Sequence, residues 1–284
     1  MSGLPTVVVP VFNGLDALDG CLAALERTLP AGTNVLLADD ASSDPRIAPL
    51  LAGFAARSRL AVRVVTRARN LGFPGNCNAA FAETGDADLV LLNSDTVVTT
   101  GWLQRLAACA AADPRIATVT PWSNNAEICS FPRFCEDNPP PDDPEAIAEA
   151  AAGLDAAAVE LPTAVGFCMV VRRAALRALG GFDAATFGRG YGEENDFCLR
   201  AAAMGWRNVL CPQAYVVHLG GASFGPLGLA PNGDNLARLL ARWPDYNERV
   251  ARFILADPLA LLRQRLNERI EHLARSGPQR DLFG

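Results

Sequence analysis

Lysine is missing from the chain altogether: every one of its 25 basic residues is arginine. That absence excludes a lysine Schiff base and a P-loop lysine, and with them pyridoxal-phosphate enzymes and ordinary P-loop NTPases. The eight cysteines (Cys21, Cys77, Cys109, Cys129, Cys135, Cys168, Cys198, Cys211) are scattered, with no Cys-x-x-Cys pair. Structural zinc and thioredoxin-type chemistry are therefore poorly supported, and buried free thiols are expected. No uninterrupted apolar stretch is long enough to cross a bilayer. The opening "MSGLPTVVVPVFN" has no basic lead and no small-residue cleavage site, so it reads as a first strand and the expected location is the cytoplasm. No Gly-x-Gly-x-x-Gly follows that strand, which counts against a Rossmann dehydrogenase. A net charge of -6 argues against non-specific nucleic-acid binding. Any anion the protein holds must meet arginine, backbone amides or a metal.

What is present is ample material for a core. Half of the 284 residues are hydrophobic, enough for one large domain or two small ones. The first part alternates strand-like and helix-like segments. "TVVVPVF" (6–12), "NVLLADD" (34–40), "AVRVVTR" (61–67) and "DLVLLNSD" (88–95) read as strands, short apolar runs rich in β-branched residues. Leu15, Leu18, Leu22, Leu25 and Leu29 recur at helical spacing between the first two. A second helix is expected from about Asp44, where Asp-Pro suits an N-cap followed by proline at N1. Such alternation predicts right-handed crossovers and an α/β, mostly parallel sheet. Ligands gather beyond the carboxyl ends of its strands, where Asp39–Asp40, Asn70–Gly72 and Asn93–Asp95 could converge.

"EDNPPPDDPEA" (136–146) reads as an acidic, proline-dense linker. "GFCMVVRRAALRALGGFD" (166–183) reads as strand, short helix and glycine stop, and the chain beyond Asn232 as mainly helical and arginine-rich. The expected division is a domain over 1–231, with halves at about 1–120 and 121–231, and a helical extension over 232–284.

Three polar clusters interrupt this pattern. Asp39–Asp40 ends a strand before "ASSD"; a capped turn explains it, and so does a carboxylate accepting a base N–H. Asn93 and Asp95 lie two residues apart on one side of a strand end, where hard oxygen ligands suit magnesium or manganese, or an Asx-type turn. In "GYGEENDFCLRAAAMGW" (190–206), Glu193, Glu194 and Asp196 crowd a helix start, which the helix dipole alone would favour. Of the two histidines, His272 falls in the arginine-rich tail, whereas His218 closes the strand-like "AYVVHLGG". A lone histidine is more often a satisfied core residue than a ligand; as a ligand it would favour manganese.

Read in order, "VVVPVFN", "LLADDASSD", "RNLGFPGNCNAA", "LLNSDTVV", "GFCMVVRRAALRALGGFD", "YGEENDFCLRAAAMGW" and "VVHLGG" resemble the motif series of family 2 inverting glycosyltransferases with the GT-A fold. The resemblance runs from about residue 5 to 221, and the "RNLGFPGNCNAA" form is similar to rhamnosyltransferase-like enzymes of bacterial cell-surface polysaccharide assembly. It implies a single Rossmann-like sheet flanked by helices, with a helical C-terminal extension. It places Pro10, Phe12 and Asp40 around the base, and Asn70, Gly72 and Asn78 beside the ribose and diphosphate. Asn93 stands at the first acid of an Asp-x-Asp motif, whose last acid is Asp95, with His218 completing a site for Mn2+ or Mg2+. Glu194 matches the catalytic base, Glu193 precedes it, and Asp196 supports the helix start. Glu193 and Asp196 are expected to raise the pKa of Glu194.

The implied activity is inverting transfer of a sugar from a UDP- or dTDP-linked donor to an acceptor hydroxyl of a glycan or lipid-linked saccharide. "LLARW" (239–243) lacks the glutamine of the Gln-x-x-Arg-Trp motif of processive synthases, so one sugar per encounter is expected. Asn93 keeps a catalytically silent nucleotide-sugar or glycan-binding domain in play. A sugar nucleotidyltransferase, with its glycine-rich basic loop and catalytic lysine, fits poorly. The arginine-rich tail reads first as a solvated surface or homo-oligomer contact, and second as peripheral contact with an anionic inner leaflet.

Overall fold

The computed structural model describes residues 3–220 and 234–276. β1 (Thr6–Val11) is buried along its whole length, as its unbroken apolar run requires. Helix α1 (Leu15–Thr28) packs Leu18, Leu22 and Leu25 onto the sheet. β2 (Asn34–Asp39), α2 (Ile47–Arg57), β3 (Ala61–Thr66), α3 (Phe73–Glu83) and β4 (Leu89–Leu92) follow. β1 pairs in parallel with β2 and β4, and β2 with β3, in the order β3-β2-β1-β4. This half matches the strands read from the sequence. One boundary differs: α2 begins at Ile47, not Asp44. The Asp44 carboxylate instead accepts from the backbone amide and guanidinium of its neighbour Arg46, which holds a turn ahead of the helix.

The other half is mixed. β5 (Thr96–Val98), α4 (Trp102–Ala111), β6 (Ile116–Trp122), α5 (Pro144–Ala152), β7 (Val159–Glu160) and β8 (Cys168–Val171) lead to α6 (Arg173–Leu179), α7 (Ala184–Phe187), α8 (Glu193–Ala203) and β9 (Arg207–His218). β8 inserts antiparallel between β4 and β6, and β9 runs parallel to β6 while pairing antiparallel with β5 and β7. The first half is thus wholly parallel, while the second half mixes the parallel β6–β9 pair with antiparallel neighbours. The proline-dense segment is no free tether. Asn138 is buried, its side-chain amide donates to the Asn124 carbonyl and that of Asn124 donates to the Asn138 carbonyl, and Asp143 caps α5 by accepting from the Ala146 amide.

Helices α9 (Asp234–Arg242), α10 (Tyr246–Ala256) and α11 (Ala260–Ser276) complete the described chain. α9 lies against α8: Leu239 is buried with Phe187 and Leu199. Leu259, Leu262 and Leu266 join the main core, where each fully buried aliphatic side chain contributes about 1.5–3 kcal/mol. The arginines of this region are largely spent internally. Arg242 pairs with Asp183 and Asp196, Arg249 with Asp245, Arg252 with Glu248, and Arg263 with Asp257. That arrangement favours the solvated, self-compensated surface over a free basic stripe. No described helix is long and apolar enough to cross a membrane.

Candidate active site

The carboxyl ends of β1, β2 and β4 open on a cleft of about 250 Å³ lined by Pro10, Phe12, Asp40, Asn70, Gly72, Asn93 and Asp95, together with Phe73, Asn76 and Arg189. Its base is a lattice of hydrogen bonds. Beyond β1, Asn13 takes a left-handed φ of 57° and its carboxamide oxygen accepts from the amides of Ser43 and Asp44 at 2.9 and 3.0 Å. Asp40 is buried and accepts from the Leu71 amide at 2.7 Å, while the Asn70 side chain donates to the Asp40 carbonyl at 3.1 Å. Burial raises the Asp40 pKa, opposed by the amides of Leu71 and Gly72 and by the charge of Arg67.

Gly72 starts α3 at φ 74°, and a Cβ there would stand 2.6 Å from the Gly188 carbonyl oxygen. Only glycine lets the 70–73 turn meet the loop ahead of α8. Sequence reasoning missed Asn76, which is buried, donates to the Ala38 carbonyl at 2.8 Å and accepts from Arg67. Its place one turn into a helix that starts at a cleft was the available signal.

Asp95 and His218 meet because of strand register. Thr96 pairs with His218 across β5 and β9, and the Leu219 amide donates to the Asp95 carbonyl. The His218 Nε2 to Asp95 Oδ1 distance is 3.5 Å. His218 Nδ1 sits 2.7 Å from the Asn125 carbonyl oxygen, which fixes Nδ1–H as the donor and turns Nε2 toward Asp95. Burial disfavours the imidazolium, but hydrogen bonding to Asp95, its charge and the Asn125 carbonyl outweigh that, so the His218 pKa is raised. A buried carboxylate facing Nε2 at this distance calls for a positive charge between them, a proton or a cation. The gap suits two ligands of one small octahedral ion, whose neighbouring donors lie about 3 Å apart. Among the described residues no three His, Cys, Asp or Glu side chains gather around such a point.

Glu194 stands at the start of α8 and is not part of the cleft lining. Gly166 and Phe167 connect it to the rest. A Cβ on Gly166 would lie 3.6 Å from Glu194 Oε1, the Phe167 ring stacks on His218 at 5.2 Å, and the Phe167 carbonyl accepts from the Asn93 amide at 2.8 Å. Tyr191 lies within the fields of Glu194 and Asp95, which with burial raise its pKa. The three groups therefore occupy one neighbourhood.

Glu193 is buried, and its Oε2 has no hydrogen-bond partner. Burial and the charge of Glu194 push its pKa well above the usual carboxylate value, which favours its protonated form beside Glu194. Burial raises Glu194 too, whereas the hydrogen bonds from Glu193 and the Gly192 amide hold it down. This corrects the expectation that Glu193 raises the base.

Asp196 lies in the first turn, as expected of an acid at a helix start, but the N-cap is Gly192 at φ 107° and no side chain caps it. The fully buried Asp196 carboxylate accepts from Arg200 at 2.8 Å, Arg242 at 2.9 Å and Trp243 at 3.0 Å, tying α8 to α9. Asn78 is also displaced from its expected role. Both ends of its carboxamide are spent on the Phe182 backbone, at 2.7 and 2.8 Å, outside the cleft. Glu127, unmarked by sequence reasoning, takes a left-handed φ of 47°. Burial and the charges of Glu194 and Asp137 raise its pKa. Its signal was the polar run "WSNNAE" after β6.

A family profile described as Glycosyl transferase family 2 matches residues 6–180. No curated protein matches the chain. Among solved structures, the chain is similar to GalNAc-T7 with UDP, GalNAc and Mn2+, at TM-score 0.64 and 16% identity over 94% of this chain and 54% of that one. It thus spans about half of that protein. It is also similar to the mannosyltransferase PcManGT of Pyrobaculum calidifontis with GDP-Man and Mn2+ (TM-score 0.56, 18% identity, 98% of this chain and 76% of that). A third is TarS 1-349 of S. aureus with UDP-GlcNAc, at TM-score 0.55 and 15% identity over 97% and 92% of the two chains. Identities this low speak for the fold alone.

Proposed function

The chain belongs to glycosyl transferase family 2, and from that premise we propose that it moves one sugar per encounter, with inversion, from a nucleoside-diphosphate sugar to an acceptor hydroxyl. The observation that carries this reading is the meeting of Asp95 and His218 at 3.5 Å with Glu194 reached through Gly166 and Phe167. Donors with UDP or dTDP are favoured, because the buried Asp40 suits the N–H of a uracil or thymine ring. A rhamnosyl- or hexosyltransferase of cell-surface polysaccharide assembly is the narrower form.

Asp95 and His218 would hold a divalent cation, Mn2+ or Mg2+, which supplies Lewis-acid stabilisation of the diphosphate. The residues of the chain do the rest. Asp40, Asn70 and Gly72 shape the nucleotide end and keep water from it. Glu194 takes the proton of the acceptor hydroxyl as that oxygen attacks the anomeric carbon, and the bond to the diphosphate oxygen breaks on the opposite face. A positioned base contributes about 10²–10⁴-fold. Burial raises its proton affinity, and the proton held by Glu193 keeps that rise in check. Single addition fits the position of "LLARW": Leu239 is buried, and Arg242 and Trp243 are occupied by Asp196.

The test is nucleoside-diphosphate release from a panel of UDP-, dTDP- and GDP-sugars, with and without Mn2+, followed by the anomeric configuration of the product. Metal-dependent release with an inverted product is expected. Retention of configuration would sink the mechanism. Asn93, in place of an acid, favours a second reading, a silent nucleotide-sugar or glycan-binding domain; binding across the panel without release would select it.

A further inference from the structure

One cation in the donor cleft has no partner among the described residues. Arg189 lines it opposite Asp40 and Asp95, and its guanidinium makes no hydrogen bond or ion pair with any described residue. The contrast with Arg67 is informative, since Arg67 is locked by Asn76 at 2.9 Å and Glu83 at 2.6 Å. In a chain with 31 carboxylates and a net negative charge, an arginine beside two buried aspartates that pairs with neither is poised for an anion from outside.

The loop that carries Arg189 is built for this place. Gly188, Gly190, Tyr191 and Gly192 all take positive φ, at 54°, 126°, 69° and 107°. Such a backbone is unfavourable for most residues and persists only when its surroundings hold it. Two contacts do so. On one side Gly72 abuts the loop so closely that a Cβ would stand 3.2 Å from the Arg189 Cα. On the other, the Asn235 side chain donates to the Phe187 carbonyl at 2.8 Å and the Gly190 carbonyl at 2.6 Å. The guanidinium is thus presented between the nucleotide turn and the start of α8.

We propose that Arg189 binds the diphosphate of the donor and is the side-chain cation that selects nucleoside diphosphates over nucleosides at this cleft. The inference rests on the donor reading above. The cleft otherwise offers a diphosphate two carboxylates, Asp40 and Asp95, and a cation at Asp95 and His218 would meet it from one side only. Arg189 supplies positive charge from the loop side, in the planar geometry that suits phosphate oxygens. In this lysine-free chain no ammonium group can substitute.

The test is calorimetric titration of the wild type, Arg189→Gln and Arg189→Lys with UDP, dTDP and GDP and with uridine, thymidine and guanosine, each with Mn2+. For whichever diphosphate the wild type binds, Arg189→Gln should weaken affinity about 10–100-fold, the worth of a charged hydrogen bond. Binding of the matching nucleoside should change less than about twofold, and Arg189→Lys should recover part of the loss. Because the Arg189 side chain is exposed, all three proteins should melt together. Equal loss for diphosphate and nucleoside, or no loss in Arg189→Gln, would overturn the assignment and leave the donor reading intact. A wild type that binds none of the three diphosphates would overturn both.

Discussion

The cleft and the neighbouring start of α8 are built on opposite principles. In the cleft, with Arg189 the exception, the polar side chains of the supporting turns are engaged: Asn13, Asp40, Asn70 and Asn76 each make hydrogen bonds to the backbone of a neighbouring segment. At the start of α8 one carboxyl is left short: Glu193 keeps an unpaired buried oxygen, and its pKa is raised by burial and by the charge of Glu194. Saturated groups hold a shape and unsatisfied ones hold chemical potential. On the proposed function, the cleft would bind and the start of α8 would react.

The largest effect that could break this contrast comes from Glu194→Gln. Transfer should fall at least tenfold, and up to the 10²–10⁴ of a lost general base, while donor affinity stays unchanged. A parallel fall in affinity would mean that the reactive end also binds the nucleotide. His218→Ala comes next, because His218 stands where the two ends meet. Stimulation by Mn2+ should drop about tenfold or more, read as activity against metal concentration; an unchanged titration would move the cation elsewhere.

Asp40→Asn probes the saturated end. It should raise KM for the donor severalfold, the scale of one net hydrogen bond of about 1 kcal/mol, and leave kcat alone. A change in kcat without one in KM would reverse its role.

The smallest effect is on stability. Glu193 has a folded pKa raised above its ordinary 4.5, so its neutral form stabilises the fold below about pH 4.5 and that contribution is lost as pH rises. Glu193→Gln removes the loss while keeping a donor for Glu194. Its melting temperature should exceed the wild type by roughly 2 °C at pH 8, with the gap closing toward pH 4.5. A gap that widens on acidification would show the sign to be wrong.

The same contrast explains what the sequence made legible. β1, β2 and β4 are buried almost throughout and leave apolar runs, and Asp40, Asn70 and Asp95 follow strand ends where a parallel sheet must place its ligands. The insertion of β8 between β4 and β6 left no local trace, because pairing order is set by packing over long separations. Asn78 and Asp196 sit in motifs that suggested ligand and cap, yet each is consumed by a distant partner, Phe182 for one and Arg242 with Trp243 for the other. Arg189 was overlooked because nothing in its glycine-flanked loop marks it; its meaning comes from the charges that fail to reach it.

The pairing of Thr96 with His218 has a consequence for the order of events during synthesis. β9 is among the last strands translated, yet it is threaded between β6 and β5 in the interior of the sheet. A chain still emerging from the ribosome holds Asp95 without the imidazole that faces it, so a half-made protein would lack one of the two proposed cation ligands. On the proposed function, competence to engage a charged donor would arrive only when the far end of the sheet has closed around β9.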